Sequence, residues 1–197
     1  NANAVWQLHL DWLIKDKSRF SFNYLIDEFT LDPKIEEGKR NSGAFSIKLS
    51  HSLFSKKEKF LTFNISKVSV GSQTFRHGLG SNNFVQSYKP LGWENGSDGD
   101  ELVVGLSFLL NERIFLEIKG SNLSTKEESL INNPYQSYNY LEGLYPANRK
   151  YYAKCTSLRA SIIYRMLKGI DILFDGKILN KEKPEIELKI GLSYFKF

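Results

Sequence analysis

The sequence predicts an all-β chain and, more narrowly, a transmembrane antiparallel β-barrel of about nine strands. Two observations carry this prediction. Apolar and polar residues alternate with period two in nine segments of roughly 7 to 11 residues, and the connections between these segments alternate between short and long. A tilted strand needs about 9 to 11 residues to cross the hydrocarbon of a bilayer, so the segments have a suitable length.

The first four strands are identified by one apolar and one polar side each. Residues 5–14 and the segment that follows are separated by a tight turn, which favours a hairpin. The polar side of the first strand carries Gln7, His9 and Asp11. The apolar positions of the four strands are Trp6, Leu8, Leu10, Trp12 and Ile14; Phe20, Phe22, Tyr24 and Ile26; Phe45, Ile47, Leu49 and Leu53; and Leu61, Phe63 and Ile65.

Five further strands follow the same rule. Their polar sides mix both signs of charge, as in Glu117, Lys119 and Arg159. No segment with the period of a helix is left over. The apolar positions of the five strands are Leu102, Val104, Leu106, Phe108 and Leu110; Ile114, Leu116 and Ile118; Leu158, Ala160, Ile162 and Tyr164; Ile170, Ile172, Phe174 and Ile178; and Ile186, Leu188, Ile190, Leu192 and Tyr194.

The connections differ in length in a regular way. Short turns are predicted at 15–18, 54–59, 111–113 and 166–169, and long loops at 30–43, 69–101 and 121–153. Outer-membrane barrels have brief periplasmic turns and extended extracellular loops, whereas a β-sandwich, the alternative, has no reason to separate them so strictly. Because bacterial single-chain barrels have an even number of strands, we expect residues 1–197 to be one portion, the C-terminal half, of a larger barrel.

Composition and motifs argue against several other functions. The net charge of +5 arises from 27 Lys and Arg scattered among 22 Asp and Glu, without a basic stripe, so a nucleic-acid partner is not expected. His9, His51 and His77 lie on different segments and Cys155 is the one cysteine, so no metal site is predicted. No Gly-x-Ser-x-Gly motif accompanies His77, so we expect neither an enzyme nor a cofactor.

The end of the chain resembles the terminal strand of bacterial outer-membrane proteins. It reads Gly191-Leu192-Ser193-Tyr194-Phe195-Lys196-Phe197 and ends in phenylalanine. The alternation of Ile190, Leu192 and Tyr194 is out of phase with the final Phe197, which a bulge near Tyr194 would correct. The resemblance implies recognition of this strand by the barrel insertion machinery of the outer membrane.

The second long loop contains Arg76-His77, Asn82-Asn83 and Leu91-Gly92, followed by a turn with Asp98 and Asp100. In these residues it resembles the corresponding stretch of capsule assembly proteins of the Wzi type. The segment from Trp6 to Ile14, with Leu25 to Phe29, is similar to the strand and turn that precede this loop in the family. The resemblance implies a non-enzymatic lectin of the outer membrane that holds capsular or other surface polysaccharide and contacts lipid and lipopolysaccharide.

The loops also have the chemistry of a sugar-binding surface. Amide and charged groups can bind hydroxyls and uronic carboxylates, and aromatic rings can cover the apolar patches of a sugar. The candidate glycan-binding residues are Arg76, His77, Asn82, Asn83, Gln86, Trp93, Asp98, Tyr138 and Arg149. Two alternatives stay open: a loop that folds inward as a plug, and a passive outer-membrane porin with a channel lined by charges of both signs.

Overall fold

A computed structural model describes residues 5–28, 42–77, 79–126, 129–132, 134–135, 151–167, 170–180 and 184–194. These residues form β-strands, two single-turn 3₁₀ helices and irregular connections, and none of them forms an α-helix. The predicted all-β fold is therefore confirmed. None of the described segments is a helix with the length and apolar character needed to span a membrane.

The strands account for most of the described residues. The 3₁₀ turns are Lys15–Lys17 and Gly80–Asn82. The strands are β1 (Trp6–Ile14), β2 (Ser18–Glu28), β3 (Ser42–Lys56), β4 (Lys59–Val70), β5 (Val85–Gln86), β6 (Lys89–Pro90), β7 (Gly99–Asn111), β8 (Ile114–Lys126), β9 (Tyr151–Leu167), β10 (Ile170–Asn180) and β11 (Glu185–Tyr194).

Nine of these strands form one antiparallel sheet, as the sequence predicts. Their order is β1-β2-β3-β4-β7-β8-β9-β10-β11, so every strand lies beside its neighbours in the chain, and β5 and β6 form a separate small hairpin. Strands β1 and β11 are the two edges. The described residues thus make an open sheet, and the closed barrel of the prediction is not formed within them.

Several strands are longer than the sequence predicts. Strand β4 continues to Val70, β7 begins at Gly99, and β8 runs to Lys126, so residues assigned to the loops 69–101 and 121–153 belong to the sheet. In these extensions apolar and polar residues no longer alternate. Ser69 and Asp100, for example, lie opposite each other on the side of the sheet that is apolar elsewhere. The ladder continues there through backbone hydrogen bonds, which do not depend on side-chain polarity.

The register assigns each predicted apolar row to the same side of the sheet. Phe63 lies directly opposite Leu106, and Leu106 opposite Ile118, while Asn64 and Glu117 point to the other side. We call these sides the apolar face and the polar face. Since a shift of one residue would exchange the two faces of a strand, the pattern and the register support each other.

The apolar face is exposed. Trp6 at one edge is 65% exposed and Leu188 at the other is 80% exposed. Among the described residues, the buried hydrophobic side chains are Val70, Leu130 and Leu179, and none of the three belongs to the predicted apolar rows. The second sheet that a β-sandwich would need to cover this face is absent from the described residues.

The hairpins are staggered in one direction. Ser18 lies opposite His51, so β3 runs on through residues 52–56 past the start of β2. Ile114 lies opposite Tyr164, and β9 runs on to Leu167 past the start of β8. A register offset that accumulates in one direction is the arrangement that tilted barrel strands require.

The turns at 57–58 and 112–113 bring two carboxylates together. A hydrogen bond with Glu112, aided by charge repulsion, raises the pKa of Glu58 above its ordinary value. Because the pKa of Glu58 is raised in the folded protein, its hydrogen bond with Glu112 stabilises the fold fully at pH values below the ordinary pKa of Glu58. This stabilisation is lost as the pH rises through the raised pKa. We expect Glu112→Gln to return the titration of Glu58, followed by NMR, to its ordinary range. Asp16→Asn removes a carboxylate in another turn and should leave the pKa of Glu58 raised.

Candidate functional site

The polar face carries a cavity of about 490 Å³ in the middle of the sheet. Its walls come from strands β3, β4, β7, β8, β9 and β10 and from the segment that precedes β7, and they combine hydroxyls with charges of both signs. The lining residues are Lys48, Asn64, Ser66, Glu94, Glu101, Val103, Gly105, Ser107, Glu117, Lys119, Ser121, Ser157, Arg159 and Lys177. The predicted polar sides of these strands are thus brought to one place.

Ion pairs neutralise part of this cavity. Lys119 Nζ lies 2.7 Å from Glu117 Oε2, and Arg159 Nε donates to Asp175 Oδ2 at 2.7 Å. In the part of the chain that the structure describes, Lys48 and Lys177 form no such ion pair. The cavity therefore offers both paired charges and separate ammonium groups to a polar solute.

The polar face becomes apolar toward the short turns. The rings of Phe60 and Phe115 have centroids 6.3 Å apart, and Leu109 lies opposite both residues in the sheet. Ile163 and Leu173 continue this row across β9 and β10. The alternation alone did not predict this apolar band, because a strand end with apolar residues on both sides has no preferred face.

At the other end of the sheet, the loop 71–98 folds onto the polar face. Thr74 Oγ1 donates to the Gly43 carbonyl at 2.8 Å, and the Phe75 amide donates to Asp27 Oδ2 at 2.6 Å. A cavity of about 350 Å³ lies between Phe75, Trp93 and the side chains of β1 to β4. This placement agrees with the inward-folding alternative for this loop.

A second set of contacts joins this loop to residues 129–135. Ser129 Oγ donates to the Asn95 carbonyl at 3.1 Å, and the Leu130 amide donates to Ser97 Oγ at 3.3 Å. Asn83 Nδ2 donates to the Pro134 carbonyl at 2.9 Å. The Leu130 side chain is fully buried, so the two loops share a small packed centre.

Three of the predicted glycan-binding residues are buried in this structure. Arg76 is only 2% exposed, and Asn83 and Asp98 are buried as well. Asn83 Oδ1 accepts the His77 amide at 2.7 Å, and Asp98 has φ of 54° beside the first residue of β7. Asn83 therefore makes contacts within the loops. Amide and charged side chains suit a hydrogen-bonded loop interior as well as a sugar, so their residue types do not separate the two roles.

The other predicted site residues are distributed differently. Asn82 and Gln86 are exposed, and His77 is half-buried. Trp93 is also half-buried, and its Nε1 lies 3.4 Å from Glu101 Oε2. Tyr138 and Arg149 lie outside the described residues. Among the predicted residues that the structure describes, Asn82 and Gln86 are therefore the most open to a ligand.

Tyr88 in the hairpin β5–β6 forms an aromatic pair with Tyr135, and neither residue is among the nine candidate glycan-binding residues. The corner residues of this hairpin, Ser87 and Tyr88, have φ of 49° and 62°, although glycine and asparagine are preferred at such positions. Tyr88 is 74% exposed and its ring meets that of Tyr135 edge-on, with centroids 5.1 Å apart. The sequence 86–89 contains no Asn-Gly or Asp-Gly signal, so it did not predict a hairpin.

The remaining histidines have structural partners. On the polar face, His9 Nδ1 lies 2.6 Å from Asn23 Oδ1 on the neighbouring strand. On the apolar face, His51 Nδ1 lies 2.7 Å from Ser18 Oγ on the neighbouring strand. Among the described residues, no three His, Cys, Asp or Glu side chains are grouped in a way that could hold a metal ion.

Comparisons with other proteins found no relative of this chain. No protein-family model, no curated protein and no solved structure matches this chain. The resemblance to capsule assembly proteins of the Wzi type therefore stays a prediction.

Proposed function

We propose that this chain is a portion of a bacterial outer-membrane β-barrel that binds surface polysaccharide without catalysis. The observation that carries the membrane assignment is the exposed apolar face. Large apolar side chains such as Trp6, Leu106 and Leu188 cover one side of nine strands, and no other described part of the chain forms a layer over them. Exposed apolar areas of this extent mark a surface that meets lipid or a partner.

The topology supports lipid as the layer that covers this face. All four turns at one end of the sheet are short, and the hairpins are offset as tilted strands require. The opposite face is polar and holds a hydrophilic cavity, which is the arrangement of a barrel interior. Further strands, in this chain or in a partner, would complete the barrel at the edges β1 and β11, and the insertion machinery would recognise β11.

Polysaccharide binding is supported by the exposed pair Tyr88 and Tyr135 at the long-loop end. The left-handed conformation of Tyr88 is unfavourable for a tyrosine, and conformations of this kind concentrate at functional sites. An aromatic ring held in this way can cover the C–H face of a sugar, and the exposed amides of Asn82 and Gln86 can bind its hydroxyls. Many such weak contacts along a repeating polymer add up to durable retention.

The aromatic pair can be tested in a cell-surface polysaccharide binding assay. We expect Tyr88→Ala with Tyr135→Ala to weaken polymer binding, because each ring contact contributes about 1 kcal/mol. Tyr88→Phe keeps the ring and should retain binding. Leu91→Ala, a change at a neighbouring exposed apolar residue, is the matched control. Full binding by the double alanine variant would show that the glycan site lies elsewhere.

A passive porin is the second candidate, and the cavity on the polar face favours it. Lys48 and Lys177 line that cavity without ion pairs among the described residues, as the wall of a water-filled channel could. Conductance in planar bilayers separates the two functions. A steady open pore without polymer binding would support the porin, whereas a silent membrane protein that retains polymer would support the polysaccharide-binding function.

A further inference from the structure

The short-turn end of the sheet carries an excess of positive charge. Lys15 and Lys17 lie in the first turn. Lys56, Lys57 and Lys59 lie in or next to the second turn, and Arg113 lies in the third. Asp16, Glu58 and Glu112 are the acidic residues of the same turns, so six cations face three carboxylates, a net charge of +3. We call this set of nine residues the basic rim.

The cations of the basic rim are free to meet a partner. All six side chains are exposed, and within the described residues none of them forms an ion pair. Lys15 and Lys57 occupy turn positions with φ of 52° and 51°, where glycine or asparagine is usually preferred.

The surroundings of the rim match the edge of a bilayer. Trp12, Leu53 and Phe54 are exposed on strands next to these turns, and aromatic rings beside lysines are typical of the headgroup level. The opposite end of the sheet has a different balance. There, among the described residues, Glu94, Asp98, Asp100 and Glu101 accompany lysines such as Lys67 and Lys89. The described residues of that end thus do not repeat the positive excess of the short-turn end.

We propose that the basic rim binds the anionic headgroups of phospholipids in the leaflet that faces the short turns. This inference rests on the proposed membrane function and adds a lipid preference to it. Exposed ammonium and guanidinium groups bind phosphate oxygens, and the neighbouring aromatic residues fix the depth at which they meet them. Each cation near an anionic membrane surface contributes about 1 kcal/mol, which corresponds to roughly fivefold in partition.

The test compares vesicles of phosphatidylcholine with vesicles that contain equal parts of phosphatidylcholine and phosphatidylglycerol. The full chain is diluted from denaturant into each, and the fraction that floats with the vesicles and resists alkaline carbonate is measured. We expect stronger association with the anionic vesicles. Lys56→Gln with Lys57→Gln should remove about 30-fold of that preference for two cations. The matched control Lys48→Gln with Lys89→Gln removes the same charge on the polar face and in the hairpin β5–β6, away from the basic rim, and should keep the preference.

The outcomes separate this inference from the membrane assignment. Equal insertion of the wild-type chain into both kinds of vesicle would overturn the lipid preference and leave the membrane function intact. Equal loss in both double variants would also overturn it, since net charge and not the rim would then be responsible. Failure to associate with either vesicle would overturn the membrane function itself. Circular dichroism in detergent micelles verifies that both variants keep their β-structure.

Discussion

Leu106→Lys should destabilise the membrane-inserted protein by about 2–4 kcal/mol, the amount expected for a lysine on the lipid side near the middle of a barrel strand. Leu106 lies in the middle of β7 on the apolar face, between Phe63 and Ile118 on the neighbouring strands. In water the same change at this exposed position would alter stability by no more than about 0.5 kcal/mol. Unfolding by denaturant in vesicles measures the difference.

Val103→Lys provides the control for this prediction. Val103 is three residues away on the same strand but lines the cavity of the polar face, beside Glu101. A lysine there meets hydroxyls and carboxylates, so we expect a much smaller effect than at Leu106. Equal effects at the two positions would mean that the faces do not differ in environment, and the membrane assignment would be abandoned.

Leu130→Ala should have an effect of similar size on the loops. The Leu130 side chain is fully buried where its segment meets the loop 71–98, and truncation of a buried leucine costs about 2–5 kcal/mol. We expect the loop 71–98 to open more often and its amides to exchange hydrogen faster. If this loop restricts the interior, conductance in planar bilayers should rise in the same variant.

Ile131→Ala is the matched control because it removes a comparable side chain at the next residue. Ile131 is 50% exposed, so its truncation should change loop stability far less. If both variants change hydrogen exchange in the loop 71–98 equally, that result would contradict a packed centre at Leu130. A change confined to Leu130→Ala would identify that side chain as the anchor between the two loops.

The candidate site was only partly predictable. Arg76 and Asn83 were predicted as ligand contacts because they offer dense donors and acceptors, yet the structure buries them inside the loop. A donor or acceptor has the same chemistry whether its partner is a sugar or a backbone carbonyl such as that of Pro134, so composition could not separate the two roles. The exposed pair Tyr88 and Tyr135 depends on a turn without a sequence signal and on the approach of two separate loops.

The sequence by itself determined the nine strands of the large sheet, their two faces and the pairing of strands that are joined by short turns. Side chains along a strand alternate strictly, so rows such as Trp6 to Trp12 and Leu102 to Leu106 can lie on one side only, and a short turn brings the two strands that it joins side by side. Tertiary structure alone decided how far the strands extend, which strands pair across the long connections, and that the loop 71–98 folds onto the polar face. Those outcomes depend on backbone and side-chain hydrogen bonds between residues distant in the chain, such as Asp27 with Phe75, which leave no periodic mark in the sequence.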